Sequence, residues 1–188
     1  MTEAPGADQP GRRGEADGAL VTVRLIDLPV PEFAAAQEHS DELMRELTHV
    51  ANQIATTHDP DGAQADTASY PSRELPVRLM ALVEDLSAGY SGFTVEQDQQ
   101  LASAVEAGRE SIPELTYQVP AAAAGAAKHL GAMLDEADDY CRRGQHLLTL
   151  ATPPELVAFR RWYLSEFENQ IAGQPPTSWP SYSAATGD

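Results

Sequence analysis

Apolar residues recur at steps of three and four through most of the chain, and this spacing predicts amphipathic α-helices. The first such stripe predicts a helix over residues 31–56. A second stripe stops near Gly89. A third follows Thr94 and Gln97, which have the spacing of a capping box, and should end at Gly108. The pattern therefore indicates a mainly α-helical chain.

Two more stripes complete this helical pattern. An alanine-rich fourth helix opens at Pro120 and is closed by Gly144. The fifth helix begins at a predicted capping box formed by Thr152 and Glu155, with prolines between them, and should end before Gly173. We therefore expect about five helices packed as a bundle.

Two short segments alternate between apolar and polar residues and predict β-strands, near residues 20–26 and 114–119. A proline and a long helix follow each of them. Superposing the two strand-proline-helix units aligns Leu25 with Leu115, as a weak internal repeat would. We expect the two strands to pair, which adds a short two-stranded sheet to the helical domain.

The composition changes sharply towards both ends of the chain. Residues 1–18 and 173–188 are rich in Gly, Pro, Ser or acidic residues and hold little to bury, so both should be flexible tails. Residues 19–172 then have the length of a single domain. The chain shows no bilayer-spanning or signal-peptide pattern, and its one cysteine, Cys141, cannot form an internal disulfide. These features predict a cytoplasmic protein.

The net charge of the chain disfavours some classes of binding partner. The 188 residues include 12 Lys+Arg and 29 Asp+Glu, which gives a formal net charge of −17. Phosphate backbones and anionic lipid surfaces repel such a chain, so roles on nucleic acids or membranes are disfavoured. Most of the excess lies outside the two predicted tails. It therefore belongs to the folded surface, where it favours attraction of a basic partner.

One line of the first predicted helix has the residue types of a metal site. Its members are His39, Glu42, Glu46 and His49. Glu46 and His49 also have the Glu-x-x-His spacing with which helical bundles hold di-metal centres. Such a centre needs a second Glu-x-x-His, which the fourth helix does not supply. A metal-binding enzyme or sensor and a solvated helix flank with Glu–His pairs are the two interpretations.

The acidic face of the fourth helix and the margin of the fifth helix are candidates for contact with a protein partner. The residues are Asp135, Asp138, Asp139, Arg160, Arg161 and Trp162. Trp162 lies beside the apolar stripe of its helix, where a partner would bury it. Core packing is the alternative for Trp162, because the chain has few aromatic residues to fill a core.

Motifs for nucleophilic or nucleotide chemistry are missing from the sequence. It contains no G-x-S-x-G, no P-loop and no G-x-G-x-x-G. Cys141 falls on the apolar stripe of the fourth helix, which favours a small core residue over a reactive thiolate. We therefore predict no catalytic residue and no cofactor.

Two stretches, Val23–Ala51 and Glu114–Pro180, resemble a family of uncharacterised actinobacterial proteins, most specifically in LLTLATPPELVAFRRWYLSEF. Members of that family are encoded beside, and sometimes joined to, anti-sigma-factor kinases, anti-sigma-factor antagonists and PP2C-type phosphatases. The resemblance implies a non-catalytic regulatory protein that acts through protein contacts in sigma-factor partner switching or stress signalling. It supplies no catalytic residues.

The segment LTYQVPAAAAGAAKHLGAMLDEAD is also similar to the opening strand and helix of the anti-sigma-factor ATPases of the histidine-kinase-like superfamily. In those proteins the next element carries an E-x-x-x-N box and later glycine motifs that hold ATP and magnesium. The following segment of this chain lacks that box, so the likeness does not extend to ATP binding. A degenerate domain of this type would show a four- or five-stranded sheet.

Overall fold

The computed structural model describes residues 19–56, 70–143 and 151–186. The elements in chain order are β1 (Leu20–Pro29), α1 (Val30–Thr56), α2 (Tyr70–Tyr90), α3 (Val95–Glu106), β2 (Ser111–Pro120), α4 (Ala123–Arg142), α5 (Pro154–Ile171) and α6 (Trp179–Thr186). A 3₁₀ turn, Ser91–Phe93, joins α2 to α3. The predicted class, mainly α with a short β pair, is confirmed. No described helix has the length and hydrophobicity that a membrane span requires.

The two strands form an antiparallel ladder in which Leu25 lies opposite Leu115. One face of this sheet is buried. Alternate side chains point into the core as far as Leu25 on β1 and from Leu115 on β2, and beyond Asp27, which has φ +52°, the buried positions shift by one residue. The buried side chains are Val23, Leu25, Leu28, Ile112, Leu115, Tyr117 and Val119. Within the described residues the sheet has these two strands. The four- or five-stranded sheet of an ATPase-like domain is thus not formed there.

Glutamine side chains cap both outer edges of the sheet at one rung, where Arg24 lies opposite Thr116. Gln170 accepts a hydrogen bond from the backbone N–H of Arg24 at 2.9 Å and donates to the carbonyl oxygen of Arg24 at 2.8 Å. On the other edge Gln97 donates to the carbonyl oxygen of Thr116. The two amides thus satisfy outward-facing backbone groups that a further strand would otherwise pair with.

The core has two hydrophobic clusters. The first lies under the sheet and joins it to α3, α5 and the start of α1. The second lies between α1, α2 and α4 and consists of Leu43, Leu47, Leu75, Leu79, Met133, Ala137 and Tyr140. Cys141 packs partly buried against this second cluster, as its place on the apolar stripe predicts.

Two of the predicted helix stops are confirmed in atomic detail. Gly108 has φ +61° and Gly173 has φ +87°, a conformation that glycine adopts without strain. The next residue in each case bonds back into the helix, Arg109 N–H to Ala104 at 3.0 Å and Gln174 N–H to Asn169 at 2.9 Å. Both helices therefore end at these glycines. The predicted stop at Gly144 lies outside the described residues, as does the predicted tail 1–18.

Neither predicted capping box forms. Thr94 is the residue before α3, but its side chain makes no cap hydrogen bond, and α5 is preceded by Pro153 instead of Thr152. The hydroxyl of Thr152 bonds to α4 instead. Gln97 and Thr152 bond instead to distant partners, Thr116 on β2 and Asp138 on α4. The hydroxyl of Thr94 bonds within its own helix, to Asp98.

The prediction that residues 173–188 form a flexible tail is wrong for the described part, because α6 packs on the core. Its Trp179 ring lies 5.5 Å from the Trp162 ring and 5.7 Å from the Phe159 ring, centroid to centroid. The preceding segment is anchored at both backbone groups of Thr177. Its N–H donates to buried Glu166 at 3.0 Å, and its carbonyl accepts from the indole of Trp162 at 2.8 Å. The folded part therefore extends to α6.

Candidate functional site

A buried ion pair joins α4 to α5. Arg160 Nη2 donates to Asp138 Oδ2 at 2.8 Å and to Asp135 Oδ1 at 2.6 Å. The side chain of Asp138 is 4% exposed and that of Arg160 is 13% exposed. Because a buried charge that loses its partner is costly, this pair fixes the position of the two helices relative to each other.

Thr152, just before α5, donates the remaining hydrogen bonds to the carboxylate of Asp138. Its backbone N–H donates to Asp138 Oδ1 at 3.0 Å, and its hydroxyl donates to the same oxygen. His39 on α1 lies with Nε2 3.0 Å from that hydroxyl oxygen. Since the only hydroxyl proton of Thr152 is given to Asp138, Nε2 of His39 must be the donor in this contact. Helices α1, α4 and α5 are thereby joined by one polar network.

Hydrogen bonding decides the charge state of Asp138. Burial alone would raise the pKa of its carboxyl, but the hydrogen bonds from Thr152 and Arg160 outweigh burial and hold the pKa below its ordinary value of 3.8. Asp138 is therefore ionised at neutral pH and remains paired with Arg160.

Arg160 keeps one buried donor, Nε, without an acceptor among the described residues. The side chain also lines a cavity of about 230 Å³ between α1, α4 and α5, which we call the α1–α5 cavity. His39 and Thr152 lie at its polar end. The apolar walls include Phe33, Ala36, Leu43, Leu130, Leu134 and Leu156.

Exposed charges border this network and share Asp135 with it. We call them the charged face: Asp135, Asp139, Arg142 and Arg161. Their side chains are 46%, 56%, 62% and 60% exposed. Arg161 pairs with Asp135 at 3.4 Å, and Arg142 pairs with Asp139 at 3.0 Å. Surface ion pairs of this kind contribute only about 0–1 kcal/mol each, so a partner can replace them at little cost.

The predicted contact residues thus divide into surface and core. Asp135, Asp139 and Arg161 are on the charged face. Trp162 is 0% exposed, so its alternative placement in the core is the correct one, and it offers no surface to a partner. The physical reason is that α5 is covered both by the sheet and by α6, so its buried face is wider than the apolar stripe. Asp138 is likewise enclosed.

The His–Glu line of α1 is not assembled as a metal site. His39 turns to Thr152, while Glu42 and His49 are exposed along the helix. Across the described ranges, no three His, Cys, Asp or Glu side chains come together in a way that could hold a metal ion. His39 is partly buried, whereas the solvated-flank interpretation places the whole line in solvent.

A tyrosine pair, buried Tyr117 and partly buried Tyr163, was not predicted from the sequence. The hydroxyls of Tyr117 on β2 and Tyr163 on α5 lie 2.7 Å apart beside an apolar cavity of about 190 Å³. Burial raises the pKa of both hydroxyls, that of Tyr163 to about 12. Both residues therefore stay protonated at neutral pH, and they link the sheet to α5.

Glu166 and Gln170 are buried polar residues that sequence reasoning also missed. Gln170 donates to Glu166 at 2.7 Å, and Glu166 in turn holds Thr177. The sequence contained a signal for their burial, since each lies one heptad after an apolar residue of α5, Phe159 or Tyr163, and hence on the buried face.

Burial raises the pKa of the Cys141 thiol, helped by the nearby charges of Asp138 and Glu46, so this cysteine is no activated nucleophile.

We compared the chain with protein-family models, with curated proteins and with solved structures, and none of them matches it.

Proposed function

We propose that this chain is a non-catalytic regulatory protein that binds another protein through the charged face of α4 and α5. The main support for this proposal is the arrangement of that face, where the exposed Arg161–Asp135 pair lies directly beside the buried Arg160–Asp138 pair. The resemblance of Val23–Ala51 and Glu114–Pro180 to proteins encoded beside anti-sigma-factor regulators supplies the pathway. The proposed setting is sigma-factor partner switching or stress signalling, with one of those regulators as partner.

Asp135 couples the exposed face to the buried network. One of its oxygens accepts from buried Arg160 at 2.6 Å, and the other pairs with exposed Arg161 at 3.4 Å. The carboxylate is thus held in one orientation before a partner arrives, which lowers the entropy lost on binding. A partner that offers a basic group to Asp135 and an acidic group to Arg161 would replace one weak surface pair by two charge-assisted contacts.

The overall charge favours encounter with a basic surface. With a formal net charge of −17, the chain attracts a positively charged partner over distances of about a Debye length, roughly 10 Å at 0.1 M salt. The association rate with the partner should therefore fall as salt is added, while the dissociation rate changes less.

The test uses affinity capture from native lysate with the full chain, followed by calorimetry with each purified candidate. The informative variant is Arg161→Glu combined with Asp139→Lys, which reverses two exposed charges of the charged face. The matched control is Arg24→Glu combined with Glu114→Lys, which reverses two exposed charges on the outer face of the sheet and, like the charged-face variant, leaves the net charge unchanged.

A genuine partner should bind the charged-face variant at least about tenfold more weakly, equivalent to about 1.4 kcal/mol, and should bind the control within about twofold. Equal affinity for both variants would contradict a role of this face. Failure of every captured protein to bind the purified chain would contradict the proposed function itself.

A further inference from the structure

A surface groove runs along the α4–α5 pair, and we call it the α4–α5 groove. Its volume is about 540 Å³, and its walls come from α4, α5 and α6. The two helices run antiparallel here, because Asp135 pairs with Arg161, while Gly131, one turn earlier on α4, lies against Leu164, one turn later on α5. The groove therefore has two ends, and α4 and α5 both contribute to each end.

Opposite charges alternate around this groove. Lys128 on α4 and Glu168 on α5 line one end, and Asp135 on α4 and Arg161 on α5 line the other. On each helix the two groups are seven residues apart and so lie on one face. Arg160 lines the groove too, but its charge is neutralised in the buried network. The four remaining charges sum to zero, although the whole chain carries −17.

These four charges are weakly engaged within a single copy of the chain. Lys128 and Glu168 form no ion pair within the residues that the structure describes. Arg161 and Asp135 are 3.4 Å apart, against about 2.7–2.9 Å for a strong charge-assisted hydrogen bond. Opposite charges brought from outside would therefore gain contacts at both ends of the groove.

We propose that a second copy of this chain occupies the α4–α5 groove, related to the first by a twofold axis that crosses the groove at its centre. This axis lies between the copies, sets α4 against α4 and α5 against α5, and exchanges the two ends. Lys128 of each copy then faces Asp135 of the other, and Arg161 faces Glu168. The groove is thus self-complementary, as a twofold interface requires.

The centre of the groove allows the two copies to approach closely. Ala132 on α4 is small and exposed, and Ser165 on α5 is small and partly buried. The distance between packed helices depends on the side chains at the contact, so small residues let the helices approach. Leu164, also partly buried, supplies an apolar contact near the axis.

Such a dimer also affects the charged face, because it covers Asp135 and Arg161. A second copy and a protein partner would therefore compete for these two residues. The pairing of two copies is inferred from the groove alone and does not depend on whether another protein binds the charged face.

Charge reversal on α5 tests this arrangement. Arg161→Glu brings two glutamates together and Glu168→Arg brings two arginines together, so each variant alone should dimerise at least about tenfold more weakly than the native chain. An equimolar mixture should form a dimer with one copy of each, because both α5 contacts again join opposite charges. Sedimentation equilibrium of the full chain from about 1 µM to 1 mM measures these affinities.

Two matched controls make the same changes of net charge outside the groove. Arg109→Glu and Glu110→Arg lie at exposed positions between α3 and β2, and each should dimerise like the native chain. Ala132→Trp blocks the centre of the groove without changing the charge and should leave the chain monomeric.

Three results would overturn the proposal. They are a native chain that stays monomeric over this range, a mixture of the two α5 variants that associates no more tightly than either alone, and a folded Ala132→Trp that dimerises normally. Because only this chain is present in the measurement, these results leave binding of another protein to the charged face to its own test.

Discussion

Asp138 and Asp139 are adjacent in the sequence and lie in opposite environments. Asp138 is enclosed by Thr152 and Arg160, whereas Asp139 is 56% exposed and pairs with Arg142. The difference follows from helix geometry, since successive residues point about 100° apart around the axis. One carboxylate therefore supports the fold, and its neighbour is available at the surface.

This contrast predicts unequal effects of the same substitution. Asp138→Asn should lower the free energy of unfolding by about 3 kcal/mol, because it removes the charge that balances buried Arg160. Asp139→Asn should lower it by less than about 1 kcal/mol, since it breaks only a surface pair. Urea unfolding followed by circular dichroism measures both. Equal effects would mean that the buried pair is not formed in solution.

The pKa of Asp138 fixes how its contribution depends on pH. The folded-state pKa is lowered below 3.8, so the folded state favours the ionised form more strongly than the unfolded state does. The stabilisation is fully present above the unfolded pKa of about 3.9 and is lost as pH falls through the folded pKa. The gap in unfolding free energy between the native chain and Asp138→Asn should therefore be constant from pH 5 to 7 and shrink below pH 4. A gap that widens on acidification would contradict this assignment.

At the level of elements, α6 shows that a helix with few hydrophobic residues can pack on the core when those residues meet an aromatic surface. The segment is rich in Pro and Ser, yet Trp179 stacks on Tyr182 with ring centroids 6.1 Å apart and covers Trp162 and Phe159. Composition averages over the segment and so hides the two aromatic residues that decide its packing.

Trp179→Ala tests whether this packing holds in solution. The substitution should lower the free energy of unfolding by about 2–3 kcal/mol, because it removes a large ring from a partly buried contact. It should also shift the emission of Trp162 to longer wavelength as water reaches that ring. Thr186→Ala, at the exposed end of α6, is the control and should change stability by less than about 0.5 kcal/mol. If Trp179→Ala changes the free energy of unfolding no more than the control does, α6 does not cover the core in solution.

Local signals explain why some elements were predictable and the candidate site was not. The strands follow from alternation, and the stops at Gly108 and Gly173 follow from the conformations that only glycine adopts easily. The polar network depends on partners far apart in the chain, since His39 and Thr152 are 113 residues apart. No local pattern records such a contact, and for Thr152 the local pattern predicted a different bond.

At the scale of the whole molecule, the excess of acidic residues acts against compactness. A formal net charge of −17 places like charges close together on the folded surface, and this repulsion is relieved on unfolding. Added salt screens exposed charges much more than it screens the buried Arg160–Asp138 pair.

Raising NaCl from 0.01 M to 0.3 M at pH 7.5 should therefore raise the Tm by about 2–4 °C, corresponding to about 1 kcal/mol. The same addition at pH 5 should have a smaller effect, because carboxylates begin to bind protons and the net charge falls. Differential scanning calorimetry measures both series. A Tm that falls with salt at pH 7.5 would show that favourable surface pairs outweigh the repulsion.

The pairing of β1 with β2 also sets an order for biosynthesis. Leu25 cannot pair with Leu115 until that residue has been synthesised. The outer edge at Arg24 likewise cannot form its hydrogen bonds until Gln170, 146 residues further along the chain, has been made. At about 5–20 residues per second, the ribosome leaves β1 without its partner for several seconds after that strand has been made. The first described strand to be synthesised is thus among the last elements to be paired, and during that interval its backbone N–H and C=O groups are open to pairing with another chain.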